Sequence, residues 1–573
     1  MTHTYDPDLV KLIGTATQAS GGVPYEALLR ITAALPSNTP LLADHDRLRS
    51  LLELTAMADP RLFHVMFLHH CMTIGPALVC GATPEDITTL TTARAVGAAL
   101  ITEIGRGSSI AHTRTRARWE PSTRTFVLHT PDAAAAKFPV NVAQDGVERL
   151  AVVSARLDMA GTDRGTFFFL VPLRDETGPC GGIAIRPLSP TALLPLDYAT
   201  VRFDNVRVPD ERWLADGATI TADGSFHDPL GSADERTRRS LTVGRFAWGA
   251  VTAGLAAAAR AAVAIALPHA ARRQTVDRWH IRRPALDHLH QQRLLFGAAA
   301  RAKAATALAR QATHPSWHIP PDSGSSAPGA TPSVIRGLGL AKVTVDRLSD
   351  SAVDRCRETA GALGFFSENR LIDYQALTMA FRSAGGDNHL ILLDAAWSMV
   401  QGVEYEPPAE EPGPELSDLE NPLTLTRLFR RREGRLHTEL AQRFAVATAA
   451  GLTPDEAWNN LSSHAEQLAL AHSTRMLSEA LRTCPDAGEP LVQDLYQLLR
   501  LEHIAADLAW YLVEGYLTPS HARALPELID RLCRRLHDQA PQVVDVMSVP
   551  TELIRAPLGD PDYVASLVGA WTS

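Results

Sequence analysis

The residues Ala384-Gly385-Gly386-Asp387-Asn388-His389 stand just before an apolar run, "LILLD". Paired glycines give a backbone that can approach a ligand closely. Asp387 and Asn388 have side chains suited to capping the helix that the apolar run predicts. Far upstream, Thr102 and Ser108 flank a Gly-containing segment, and their hydroxyls are suited to donate or accept at a strand-end turn. Arg272-Arg273-Gln274 closes a long apolar stretch, where a guanidinium fork suits a phosphate. Taken singly, each feature also reads as a turn, a helix end or a cap. His69-His70 and the His288/His290 pair have no metal-ligand partners in sequence and read as helix-surface or core residues.

Many elements must be folded to position such residues. The chain has 573 residues, which predicts several domains rather than one core. Hydrophobic residues make up 45% and charged residues 21%, as in ordinary globular proteins. A formal net charge of −9 argues against a generic nucleic-acid binder, since no dominant basic field collects phosphates. Six scattered cysteines without a CxxC pair, and a polar N-terminal stretch without a signal-peptide pattern, predict a reduced cytoplasmic protein. The stretch from Phe246 to Pro268 is long enough to raise a membrane question, but it carries Arg260 and many Ala and Gly. It reads as a helix buried among helices, not a membrane span.

Residues 1–100 read as an N-terminal helical domain, including "RLFHVMFLHHCMTIG" and "EDITTLTTARAVGAALI". Residues 101–230 hold short β-branched runs such as "RLAVVSARL", "GTFFFLVPL" and "YATVRFDNVRVP", punctuated by Gly, Pro and Asp, and read as a β domain. Residues 231–404 return to long helices, interrupted by a Pro/Gly/Ser-rich loop at 313–333. An acidic, Pro-rich linker follows at 402–418, and amphipathic helices fill 419–573.

This order and a series of local motifs resemble the acyl-CoA oxidases, within the wider acyl-CoA dehydrogenase superfamily. "ITEIGRGSSIAHTRTRARWEPSTRTFVLHTP" is similar to that family's Thr-Glu-Leu-Gly-His-Gly-Ser segment. "HAARRQTVD" resembles the end of its first long helix, and "CRETAGALGFFSENR" its Cys-Gly-Gly-His-Gly-Tyr stretch. The tail "QAPQVVDVMSVPTELIRAPLGDPDYVASL" resembles the close of the oxidases' extra helical domain. The resemblance implies an α+β multidomain fold. Its parts are an N-terminal helical domain, a central β-barrel-like domain, a four-helix-bundle domain and a second C-terminal helical domain. It implies FAD held between the β and helical domains, partly across a homodimer interface. It also implies an acyl thioester substrate, on CoA or a carrier protein, and O2 as a further partner. By motif position, Thr102, Ser108, Arg272, Gln274, Gly361, Gly364, Asp387 and Asn388 fall on the cofactor side.

Oxidation across Cα–Cβ of a thioester needs a base for the α-proton and polarisation of the carbonyl. The family's base is a Glu in a Phe-Glu-Gly-Asp/Glu-Asn sequence, and here that position is Gly385. A second position that some superfamily members use, before an Arg on the first long helix, is Gly244 before Arg245. The resemblance implies that the backbone N–H at this position helps polarise the thioester carbonyl, and Gly385 retains an N–H for it. Asp387 and Glu368 are the candidates for a relocated base, and each also has a structural reading. The Pro-Gly-Gly that backs the flavin becomes Phe138-Pro139-Val140-Asn141, and the His of the Gly-His-Gly-Ser segment becomes Arg106. Three functions are consistent with this: an FAD-dependent acyl-thioester oxidase of fatty-acid or specialised metabolism; a flavin monooxygenase on the same fold; and a non-catalytic partner subunit.

Overall fold

The computed structural model describes residues 5–20, 24–35, 40–318, 331–409 and 418–572. The chain forms two compact units: residues 7–251 with 313–331, and residues 1–6, 252–312 and 332–573.

The first unit opens with helices α1 (Pro7–Ala19), α2 (Pro24–Ala34), α3 (His45–Ala58), α4 (Pro60–Phe67), α5 (Gly75–Val79) and α6 (Pro84–Thr91). A π-helical segment, Leu68–Ile74, joins α4 to α5. Strands follow: β1 (Val96–Leu100), β2 (Arg116–Glu120), β3 (Thr125–His129), β4 (Lys137–Asn141), β5 (Arg149–Met159) and β6 (Thr162–Asp175). The later strands are β7 (Gly178–Pro179), β8 (Ile183–Pro187), β9 (Tyr198–Phe203), β10 (Val206–Pro209) and β11 (Trp213–Leu214). Their main sheet runs β10-β3-β2-β5-β6-β11, with β1 beside β5 and β7 beside β6; β4-β9-β8 form a second sheet. Inward-facing aromatics hold the β core. The ring centroids of Phe126 and Phe169 lie 5.1 Å apart, and those of Phe167 and Trp213 5.2 Å apart. Each such ring buries enough apolar area to contribute about 2–3 kcal/mol.

One expectation is corrected here. "VGAAL", read as helical, is β1, paired parallel with β5 from Val96↔Arg149 to Leu100↔Val153. A strand covered on both faces shows no alternation, so its Ala/Gly composition hides it. The composition itself is a packing requirement: a Cβ on Gly97 would stand 2.7 Å from Thr73 Cβ of the π-helical segment.

The second unit is helical. Helix α7 (Ala233–Leu241) and the first residues of α8 (Gly244–Arg272) still belong to the first unit, and α8 continues into the second. Then come α9 (Leu289–Trp317), α10 (Pro332–Ala360), α11 (Leu371–Phe381) and α12 (Asn388–Val400). The C-terminal part holds α13 (Pro422–Ala449), α14 (Pro454–Asn460), α15 (Ser462–Thr483), α16 (Pro490–Ala506), α17 (Leu508–Val513), α18 (Pro519–His537), α19 (Ala540–Asp545) and α20 (Tyr563–Thr572). Helix α8 is a buried core helix. Its Arg260 is 1% exposed and donates to the carbonyls of Met547 and Ser548 and to the Tyr5 hydroxyl. The loop expected at 313–333 is shorter, because α9 continues through Trp317; residues 319–330 lie outside the described residues. Residues 410–417 of the expected linker also lie outside them. The long amphipathic run after Leu491 is broken at Asp507 into α16 and α17. All six cysteines are free.

Candidate active site

The loop between α11 and α12 carries Gly385 and Gly386 at φ +67° and +96°. Both angles lie in the left-handed region, which costs any residue with a Cβ about 1–2 kcal/mol. Asp387 then caps α12: its Oδ1 accepts from the backbone N–H of His389 at 2.9 Å and of Leu390 at 3.4 Å. Asn388 begins the helix rather than capping it. Its amide is engaged on both sides. Oδ1 accepts from Lys342 Nζ at 2.7 Å, and Nδ2 donates to Asp346 Oδ2 at 2.6 Å. Lys342 and Asp346 stand one turn apart on α10 and are 0% and 1% exposed. Burial pulls the Lys342 ammonium down to about 8, against the opposing pull of Asp346 and Asp387. Burial pushes the Asp346 carboxyl up to about 6, with Lys342 opposing. Lys342 and Asp346 were not legible as site residues. Their only signal is a lysine and an aspartate four apart inside the apolar run "LGLAKVTVDRL".

No carboxylate side chain stands at residue 385 or 244. Gly244 opens α8 and is half-buried; a Cβ there would meet nothing nearer than Trp248 at 3.8 Å. Glu368 sits exposed on a short 3-10 turn, Ser367–Asn369.

The remaining residues of this unit have local roles in the fold. Gly361 ends α10 at φ +64°, the left-handed stop favoured by glycine. Gly364 is pressed so closely to the last turn of α10 that a Cβ would lie 2.5 Å from the Arg357 carbonyl oxygen. Arg272 Nη2 donates to the carbonyls of Leu558 and Gly559, each at 3.1 Å, while its Nε is buried without a hydrogen-bond partner. Gln274 is exposed on a two-stranded hairpin, Gln274–Val276 with Arg282–Pro284, which the helical reading of this region did not anticipate.

In the first unit, the segment from Thr102 to Ser108 leaves β1 and is exposed except near its start. Neither the Thr102 nor the Ser108 hydroxyl has a hydrogen-bond partner among the described residues, and Ser108 holds φ +57°. Glu103, between them, is the anchor. It is 1% exposed and accepts from Thr113 Oγ1 at 2.6 Å, Thr115 N at 2.8 Å, Thr115 Oγ1 at 2.7 Å and Arg114 N at 2.9 Å. Lys137, 0% exposed, reaches the same carboxylate at 3.3 Å, and donates to the Ile101 carbonyl and to Ser154 Oγ. Burial alone would raise the Glu103 carboxyl. Lys137 and the threonine donors outweigh it and hold the group below the ordinary carboxylate range. Burial lowers Lys137 to about 8. Phe138 is half-buried and Pro139 exposed, while Asn141 turns inward, its Oδ1 accepting from His64 Nε2 at 3.1 Å. In the first unit the Thr102–Ser108 segment is thus fixed by the buried Lys137–Glu103 pair, and in the second unit the capped glycine loop is held by the buried Lys342 ammonium.

The family model described as acyl-CoA oxidase matches residues 421–562. An acyl-coenzyme A oxidase-like protein of Mus musculus is 28% identical over 531 residues, covering 85% of this chain and 82% of its own length. The chain is thus similar to acyl-CoA oxidases along most of its length. Acyl-coenzyme A oxidase 3 of Yarrowia lipolytica is 24% identical over 508 residues, covering 81% of this chain and 71% of its own length. Among solved structures, acyl-CoA oxidase 1 of Yarrowia lipolytica shares the fold at TM-score 0.80 and 20% identity, covering 99% of this chain and 93% of its own. Acyl-CoA oxidase-1 of Caenorhabditis elegans, solved with FAD and ATP, does so at TM-score 0.78 and 20% identity, covering 100% and 95%. Within this acyl-CoA oxidase fold, Gly385 sits in a loop whose backbone conformation favours glycine.

Proposed function

We propose that this chain is an FAD-dependent oxidoreductase that dehydrogenates an acyl thioester, borne on CoA or a carrier protein, across Cα–Cβ. Similarity to acyl-CoA oxidases supports the reaction class. The observation that carries the cofactor reading is the pair of hydroxyls, Thr102 and Ser108, free of partners among the described residues on a segment that Glu103 locks in place. FAD, when bound, supplies the two-electron acceptor. Thr102 and Ser108 would hydrogen-bond its ring edge, and Arg272, with Gln274 nearby, would hold its phosphates. The partnerless buried Nε of Arg272 suits that charge. The Gly385 loop polarises the thioester carbonyl through its backbone. Since residue 385 has no side chain to take the α-proton, the substrate has an α-hydrogen more acidic than that of a plain fatty acyl group, and solvent accepts it. Two copies of the chain, and O2 as final electron acceptor, complete the proposal. The six free cysteines suit a reducing, cytoplasmic setting.

A second reading, a flavin monooxygenase on the same fold, is favoured by one observation: both base positions, 385 and 244, are glycine. Peroxide release decides between the two. Aerobic incubation with a panel of thioesters should yield hydrogen peroxide and an enoyl product in equal amounts. A hydroxylated product that needs an external reductant would replace the first reading with the second. A third arrangement, a non-catalytic partner subunit, predicts a purified chain without flavin.

A further inference from the structure

Paired glycines with φ above zero choose no conformation by themselves. Something must select the one seen for Gly385-Gly386, and the candidate lies beneath the loop. Lys342 Nζ donates to three oxygens: the carbonyl of Phe381, which ends α11; the Gly386 carbonyl at 2.8 Å; and Asn388 Oδ1 at 2.7 Å, at the start of α12. One acceptor precedes the glycine pair, one lies within it and one follows it. Three acceptors match the three N–H groups of an ammonium, so the group is fully used. Asp346, on the same face of α10, grips the other side of the Asn388 amide at 2.6 Å. The charges also suit the helix ends. A cation meets the carbonyl terminus of α11, and the Asp387 carboxylate caps the amide terminus of α12. A fully buried lysine is costly to retain, and a role in fixing one conformation is the best-attested reason to keep such a group.

We propose that Lys342 is a positioning residue that fixes the backbone of the glycine loop by holding its entrance, its middle and its exit on one buried ammonium. Lys342 is too deeply buried to touch a substrate, so it acts through Gly385 and Gly386. The catalytic consequence rests on the proposed thioester function; the structural part does not.

The test is hydrogen exchange on the full chain, comparing the parent protein with Lys342→Met. Amides of residues 382–390 should exchange about tenfold faster or more in the variant, with those of α13 unchanged. Exchange at 382–390 within about twofold of the parent, or equal acceleration in every segment, overturns the proposal. If Lys342→Met does not yield folded protein, Asn388→Ala removes the exit contact and must loosen the same segment selectively; an unchanged segment again overturns it. With an active enzyme, kcat should fall about tenfold while KM moves less than about threefold, the split expected of a transition-state contact. A loosened loop with unchanged turnover would leave the clamp standing and count against the thioester role of the loop.

Discussion

Glu103→Gln tests how the cofactor-side segment is held. The side chain is nearly isosteric, so packing is kept and only charge and one acceptor change. With the amide oxygen at the Oε1 position, Thr113 Oγ1 and Thr115 N keep their acceptor. The amide nitrogen then faces the Arg114 N–H, which stands 2.9 Å from Oε2 and keeps only its second acceptor, Oε1 at 3.0 Å. Lys137 is left as a fully buried ammonium beside a neutral group. Removing one partner of a buried ion pair costs about 3–5 kcal/mol, and that is the expected loss near neutral pH. The pH dependence follows from two signs. Glu103 titrates lower in the folded chain than in the unfolded one. Its contribution is present above the unfolded value and is lost as the medium is acidified. Lys137 is lowered from 10.5 to about 8, so its burial penalty is relieved as pH rises above 8. The gap between parent and variant should therefore be largest near neutrality and shrink at both extremes. Denaturant unfolding, read by fluorescence of Trp119 and Trp213 in the same unit, measures it at about pH 7 and about pH 10. A loss below about 1 kcal/mol at neutrality, or an equal loss at both pH values, would refute the argument.

The two base positions should respond differently to a restored carboxylate. Gly385→Glu forces a side chain onto φ +67° and should lower stability by about 1–2 kcal/mol in thermal unfolding, whereas Gly244→Glu, with no atom nearer than 3.8 Å to its Cβ, should change it by less than about 0.5 kcal/mol. Asp387→Ala removes the cap of α12 and should cost about 1 kcal/mol, seen as faster hydrogen exchange in the first turn of that helix but not in α11.

Much of the fold was legible because its signals are local. Helical period, β-branched runs and turn residues mark most elements, and the motif order marks the family. β1 was hidden because a strand of Gly and Ala between two covered faces has no alternation. The break at Asp507 was hidden because both flanks of it are equally amphipathic. At the site, Gly385, Asp387 and Asn388 stood out by position in a motif. The groups that hold them did not. Lys342 and Asn388 are 46 residues apart in sequence, and Lys137 and Glu103 are 34 apart; only the fold brings them together. The reading of Asn388 as a second cap failed for the same reason, since Lys342 and Asp346 claim both ends of its amide. Arg272 was legible as a cation at a helix end, but its contact with the Leu558 and Gly559 carbonyls depends on a tail 286 residues away.

The central claim is that this protein oxidises an acyl thioester although residue 385 is glycine. Anaerobic mixing of the purified protein with acyl thioesters of graded α-hydrogen acidity tests it directly, with the visible absorbance of bound flavin as the signal. The account predicts bleaching that becomes faster as the α-hydrogen becomes more acidic, with the plain fatty acyl thioester slowest, and an enoyl product. Bound flavin that no thioester bleaches, or bleaching whose rate ignores α-hydrogen acidity, would contradict it.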